Sequence, residues 1–236
     1  MKTVIHKSDS RGHADHGWLN TYHSFSFANY HNSDKVHFGM LRVLNDDYVA
    51  EGMGFGTHPH DNMEIVTIVT SGALEHRDSM GNTAVIKPNE VQIMSAGTGI
   101  THSEYNHSKT EPVKLFQIWV FPKERNIKPR YDQKLFSAEE KKNKLLTVVS
   151  PSKENSAVWI NQDAWFSLGS LEKNKSIEYN LHKKGNGVYV FVIEGEITAG
   201  EIDLGKRDGV GISDADKFNV TAKTNADVLL IEIPMN

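Results

Sequence analysis

His58-Pro59-His60-Asp61-Asn62-Met63-Glu64-Ile65-Val66-Thr67-Ile68-Val69-Thr70-Ser71-Gly72 is the stretch whose reading decides the fold. Its later part is dense in β-branched residues, which favour extended backbone, and it stops at Ser71-Gly72, a turn signal. Its opening sets two imidazoles at i and i+2, a spacing that puts both on one face of a strand. Glu64 has the same parity if the strand continues regularly. Farther on, His102-Ser103-Glu104 repeats the device, with an imidazole and a carboxylate on one face of a second strand. Together the two strands would converge three nitrogens and one oxygen, a set that suits divalent iron, nickel, copper, manganese or zinc. Such a set covers only part of an octahedron and leaves positions open to water, oxygen or substrate, as a catalytic site does. A lone His-x-His is more often a pair of surface histidines. Against that reading stand Gly52 ahead of the pair, the Gly97-Thr98-Gly99 turn leading into His102, and Asn106 beyond it.

Working outward, Met40–Leu44 reads as a short strand ended by Asn45-Asp46-Asp47, and 83–86, 91–94 and 114–121 read as others. Gly, Asn and Pro separate them, which suggests a sandwich or barrel and not βαβ units. From Tyr131 to Lys144 the character changes, and Ser137-Ala138-Glu139-Glu140 reads as a capping box opening a short lysine-rich helix. Strand-like runs resume at 145–149 and are strongest at 188–193. Residues 65–72 parallel 188–195, residues 87–93 parallel 206–212, and each half closes on a similar strand, as in a diverged repeat. The expected organisation is all-β: a first domain over 1–130, a linker helix over 131–144 and a second domain over 145–236.

Composition bounds the rest. A chain of 236 residues, 38% hydrophobic and 24% charged, has the make-up of a globular protein. Its net charge of −4 argues against a nucleic-acid surface. The longest clean apolar run, Val188–Ile193, is far short of the roughly 20 residues of a membrane helix, and Met1–His6 does not read as a secretory signal. No cysteine is present, so histidine and carboxylates are the strong metal ligands at hand. The expectation is a cytoplasmic protein. Eleven of its twelve histidines lie at or before His107, which assigns any imidazole chemistry to the first half.

The runs 15–19, 22–28, 41–47, 58–60, 72–79 and 94–104 resemble the signatures of the pirin family, a branch of the cupins. That resemblance implies two tandem cupin (jelly-roll) β-barrels with a metal in the first. Counting back from Gly195 by the offsets that separate Gly72 from His58 and His60 lands on Leu181 and Lys183, so the second barrel is expected to be degenerate and without a metal. The resemblance implies ligands at His58, His60, His102 and Glu104, with Fe(II) as the ion and Ni, Cu, Mn or Zn as substitutes. It further implies quercetin 2,3-dioxygenase activity, in which O2 opens a flavonol ring with release of carbon monoxide. Glu104, the only carboxylate in the ligand set, would be the catalytic base. The alternative implied is a redox-sensing regulator that acts through protein partners.

Glu64 is expected to orient a ligand imidazole without binding the ion. Asp61-Asn62 stands where many family members carry arginine, which makes the pocket mouth less attractive to anions. His76-Arg77-Asp78 reads as a rim network or a solvated turn, and Gln117 as a satisfied core amide or a donor to a bound oxygen ligand. His6, His13, His16, His23, His31 and His37 are too scattered for a second metal site. Trp18, Tyr22, Phe25, Phe27 and Tyr30 read as core, and His182 as an exposed loop residue.

Overall fold

The computed structural model describes residues 1–153 and 156–236. Four sheets carry the chain. The first half forms a seven-stranded sheet in the order Arg130–Leu135, Glu90–Ser95, Glu64–Ser71, Val113–Val120, Leu41–Val49, Leu19–His23 and Gly12–Asp15. It also forms a four-stranded sheet in the order Gly54–His60, Ile100–Asn106, Leu74–Asp78 and Thr83–Ile86. The second half repeats the plan, with a seven-stranded sheet built around Asn186–Glu194 and Ala226–Pro234 and a four-stranded sheet of its own.

Side-chain alternation assembles these sheets into layers. Along Val113–Val120, Leu115 packs with Val69 and Leu74, between the two sheets of the first half. Phe116, Ile118 and Val120 point the other way and pack with Phe166, Phe191, Leu229 and Ile231 of the second half. In the second half Val188, Val190 and Leu230 turn inward to Ile197 and Val220. The two large sheets therefore lie face to face and the two small sheets lie outside. Both faces of each central strand are covered, which is why these strands read as unbroken apolar runs.

The repeat is visible in the topology. Glu64–Ser71 lies between Glu90–Ser95 and Val113–Val120, and Asn186–Glu194 lies between Gly209–Ser213 and Ala226–Pro234. The edges differ from the sequence expectation. Lys2–His6 pairs with Gly209–Ser213 and so belongs to the second half's sheet. Residues 131–135, expected to belong to the linker helix over 131–144, lie in the strand Arg130–Leu135 on Glu90–Ser95 of the first half. The helix itself is only Ala138–Lys141, capped by the Ser137/Glu140 box.

Candidate metal centre

Every residue of the expected ligand set sits on the small sheet of the first half. Ile100–Asn106 lies between Gly54–His60 and Leu74–Asp78, with His102 opposite both His58 and Asp78. Toward Gly54–His60 the register then shifts, so that Glu104 stands opposite Phe55. Such an irregularity re-aims a side chain. Toward Leu74–Asp78 the pairing stays regular, with Glu104 opposite His76.

The three imidazoles of His58, His60 and His102 face one another, with ring centroids 4.5 to 4.9 Å apart. Their nearest nitrogens all lie within 4.8 Å of one another, and a second such group joins His76, His102 and Glu104. His58 Nδ1 lies 2.8 Å from the Gly56 carbonyl. A carbonyl only accepts, so Nδ1 carries the proton and Nε2 is a bare donor atom for a cation. That Nε2 lies 3.0 Å from His102 Nε2, so a proton or a cation must sit between them. Burial, then the neighbouring His58, lowers the His60 pKa to about 4. Burial, then His58 and His60, lowers His102 to about 2. Both rings are therefore neutral at ordinary pH, as ligands must be.

Glu104 is buried, and burial raises its pKa above the usual carboxylate value. Gln117, reaching across from the large sheet, donates its amide to both carboxylate oxygens at 3.1 and 3.0 Å. The Gln117 carbonyl in turn accepts from the Thr67 hydroxyl at 3.3 Å. Of the two sequence readings of Gln117, the satisfied core amide is the one realised, its hydrogen bonds going to Glu104 and Thr67.

Several residues depart from their sequence reading. Glu64 does not meet an imidazole. Asn62 takes a left-handed φ of 44°, the strand ends at His60, and Glu64 starts a new strand in the other sheet. There its Oε2 accepts from the Ser95 hydroxyl at 2.8 Å and from the Asn161 backbone N–H of the second half at 3.1 Å. His76 is buried, not solvated, with Nε2 3.2 Å from Asp78 Oδ2 and its ring 4.8 Å from Tyr131. Tyr22 is exposed, whereas Phe25 is core. His182 is exposed as expected, yet stacks on Trp165 at 5.0 Å and lies 2.9 Å from buried Glu232.

A cavity of about 250 Å³ opens beside the centre, with His58, His60 and Glu104 among its lining residues. Leu19, Phe27, Phe55 and Trp119 give it apolar walls, and Thr21, His23, Asn45 and Asp47 form a polar one. None of these last four was assigned to the site from sequence. His60 also borders an outer cleft formed by Asp61, Ser79 and the 98–101 segment.

Facing β-sheets in two repeated halves, with His-x-His and His-x-Glu on adjacent strands beside a cavity, define a cupin. Within that class the chain belongs to the pirin family. The Pirin family model matches residues 4–120, and the model for the quercetinase C-terminal cupin domain matches residues 147–233. The chain is 42% identical over 230 residues to a quercetin 2,3-dioxygenase of Escherichia coli, covering 98% of both chains. It is 38% identical to a pirin-like protein of Caulobacter vibrioides over 95% of this chain and 96% of that one. The crystal structure of the Escherichia coli bacterial pirin YhhW in complex with nickel(II) superposes with a TM-score of 0.93, at 40% identity and 99% coverage of both chains.

Proposed function

We propose that the protein is a metal-dependent dioxygenase of the quercetin 2,3-dioxygenase type, acting on a flavonol and O2, with one divalent ion held by His58, His60, His102 and Glu104. The carrying observation is the facing pair of His58 and His102 Nε2 atoms at 3.0 Å, joined by His60 and backed by a buried carboxylate. Three imidazoles and one carboxylate suit Fe(II), and the nickel(II) complex of a relative makes nickel the first substitute to try. Bound there, the ion would supply Lewis acidity and a redox partner for O2.

The chain's own residues supply the rest. Glu104 would take the proton of the substrate hydroxyl, and its burial, which raises its pKa, supports that role. Gln117 holds the carboxylate by both oxygens, so its orientation is set before substrate arrives. Phe27, Phe55 and Trp119 offer aromatic surface to a flat ring and keep water from it. Relatives bearing the dioxygenase name support the choice of substrate class.

Oxygen uptake with quercetin tests this, using protein loaded anaerobically with Fe(II) and a His102→Ala control. Stoichiometric uptake with flavonol bleaching, abolished in the variant, is the expected result. Metal binding without uptake above the variant's background would refute it and favour a redox-responsive regulator.

A further inference from the structure

The polar wall of the cavity has no role in holding the candidate ligands. Strands Leu19–His23 and Leu41–Val49 pair with Thr21 opposite Asp47 and His23 opposite Asn45. Alternation puts these four side chains on one face, and all four line the cavity that His58 and His60 also line. All are buried, with His23 at 3% and Asp47 at 6% exposure. Polar groups at such depth are costly unless hydrogen-bonded, and here the bonding is half complete. Asp47 Oδ1 accepts the Thr21 hydroxyl at 2.5 Å, while Oδ2 has no partner among the described residues. His23 Nδ1 meets Asn45 Oδ1 at 2.8 Å, so Nδ1 carries the proton and Nε2 is left a bare acceptor. Burial keeps that ring neutral by lowering its pKa. Neither free atom is among the polar atoms sealed without a partner. Each keeps some open surface, and the cavity is the space they border.

Above about pH 7, where the buried Asp47 carboxyl is ionised, these are two bare acceptors on neighbouring strands in a cavity with aromatic walls, and they suit a ligand with two donors. We infer that Asp47 and His23 are specificity-determining residues that accept hydrogen bonds from two hydroxyl groups of a polyhydroxylated aromatic ring. This deepens the flavonol reading and rests on it. It separates flavonols that carry further ring hydroxyls from those that carry only the reacting one. A site built to pair a hydroxyl discriminates strongly against an analogue that lacks it, because its own buried groups are then left unpaired.

Equilibrium binding to nickel(II)-loaded protein under nitrogen tests the inference without turnover. The probes are quercetin and 3-hydroxyflavone, which keeps the reacting hydroxyl and lacks the others. Wild-type protein should bind quercetin on the order of 10- to 100-fold more tightly. Asp47→Asn keeps the shape and turns an acceptor into a donor. It should weaken quercetin roughly 10-fold, leave 3-hydroxyflavone within about 2-fold, and leave the nickel stoichiometry unchanged. Equal affinities in the wild type, or equal losses for both probes in the variant, would overturn the inference while leaving flavonol binding intact. If neither probe binds, this inference and the flavonol reading fall together. Selective binding without oxygen uptake would sink the dioxygenase reading alone.

Discussion

At Gln117 one amide fixes two neighbours, donating to Glu104 and accepting from Thr67. Removing it leaves a buried carboxylate with no side-chain donor. Gln117→Leu should therefore weaken metal binding by about 10- to 100-fold, read by competition with a chelator, and Thr67→Val by less. Unchanged affinity would show that Glu104 needs no such support. Glu64 sets a pH dependence. Burial raises its pKa from the ordinary 4.5 to about 7, so between these values the native state holds a proton that the unfolded chain has released. Stability thus falls as pH rises through that window and stays reduced above it. Asp47, raised to about 7 by burial, acts with the same sign. Glu64→Gln has no charge to bury, so its melting temperature should drop less than the wild type's between about pH 5 and about pH 8; an equal drop would contradict the assignment. These two carboxylates differ in how far sequence could find them. Glu64 was singled out by parity with His60, and the Asn62 turn undid the parity. Asp47 stood in Asn45-Asp46-Asp47, read as the end of a strand. The strand runs on to Val49, with Asn45 bonded to His23, Asp47 bonded to Thr21 through one oxygen, and Asp46 paired with Arg11 and Arg207.

The turns that flank the ligand strands carry most of the positioning. Gly97 takes a φ of +49°, and a Cβ there would lie 2.0 Å from the Ile127 carbonyl oxygen. Its own carbonyl accepts the Asn62 N–H at 2.9 Å, which ties the turn before His102 to the turn after His60. Gly97→Ala should cost about 1–3 kcal/mol and lower the melting temperature; an unshifted melt would mean that the 127–129 segment yields freely. At this scale the sequence was most informative where periodicity and chemistry agreed. His58, His60, His102 and Glu104 reached adjacent strands because i, i+2 spacing survives a register shift on one side. The Ser137 capping box was legible because it is a local pattern. Arg130–Leu135 was not. It is a half-exposed edge strand, so its residues show no apolar alternation. His76 and Asp78 form the polar network that one of the two sequence readings offered, but its burial was not legible because nothing local shows that Tyr131 will cover it.

Across the whole molecule, the two halves share the apolar core between the large sheets and are pinned by buried ion pairs. Asp46 of the first half meets Arg207 of the second at 2.9 Å and Arg11 at 3.2 Å. Asp46→Ala would leave both guanidiniums largely buried without their partner. It should cost about 2–4 kcal/mol, measured by denaturant unfolding, in one transition for both halves; two separate transitions would refute the shared core. The repeat was legible in part, because the paired strands kept their apolar runs, while the crossed edges left no sequence mark. Those edges have a consequence for how the molecule is made and handled. His6 reaches Tyr189 across 183 residues of chain, seating the first strand beside Gly209–Ser213. During synthesis this segment must wait until the last sheet emerges. A trimmed or sterically blocked start would not merely fray an end. It would uncover a row of unpaired amides and carbonyls along the second half, an adhesive rim ready to recruit another chain.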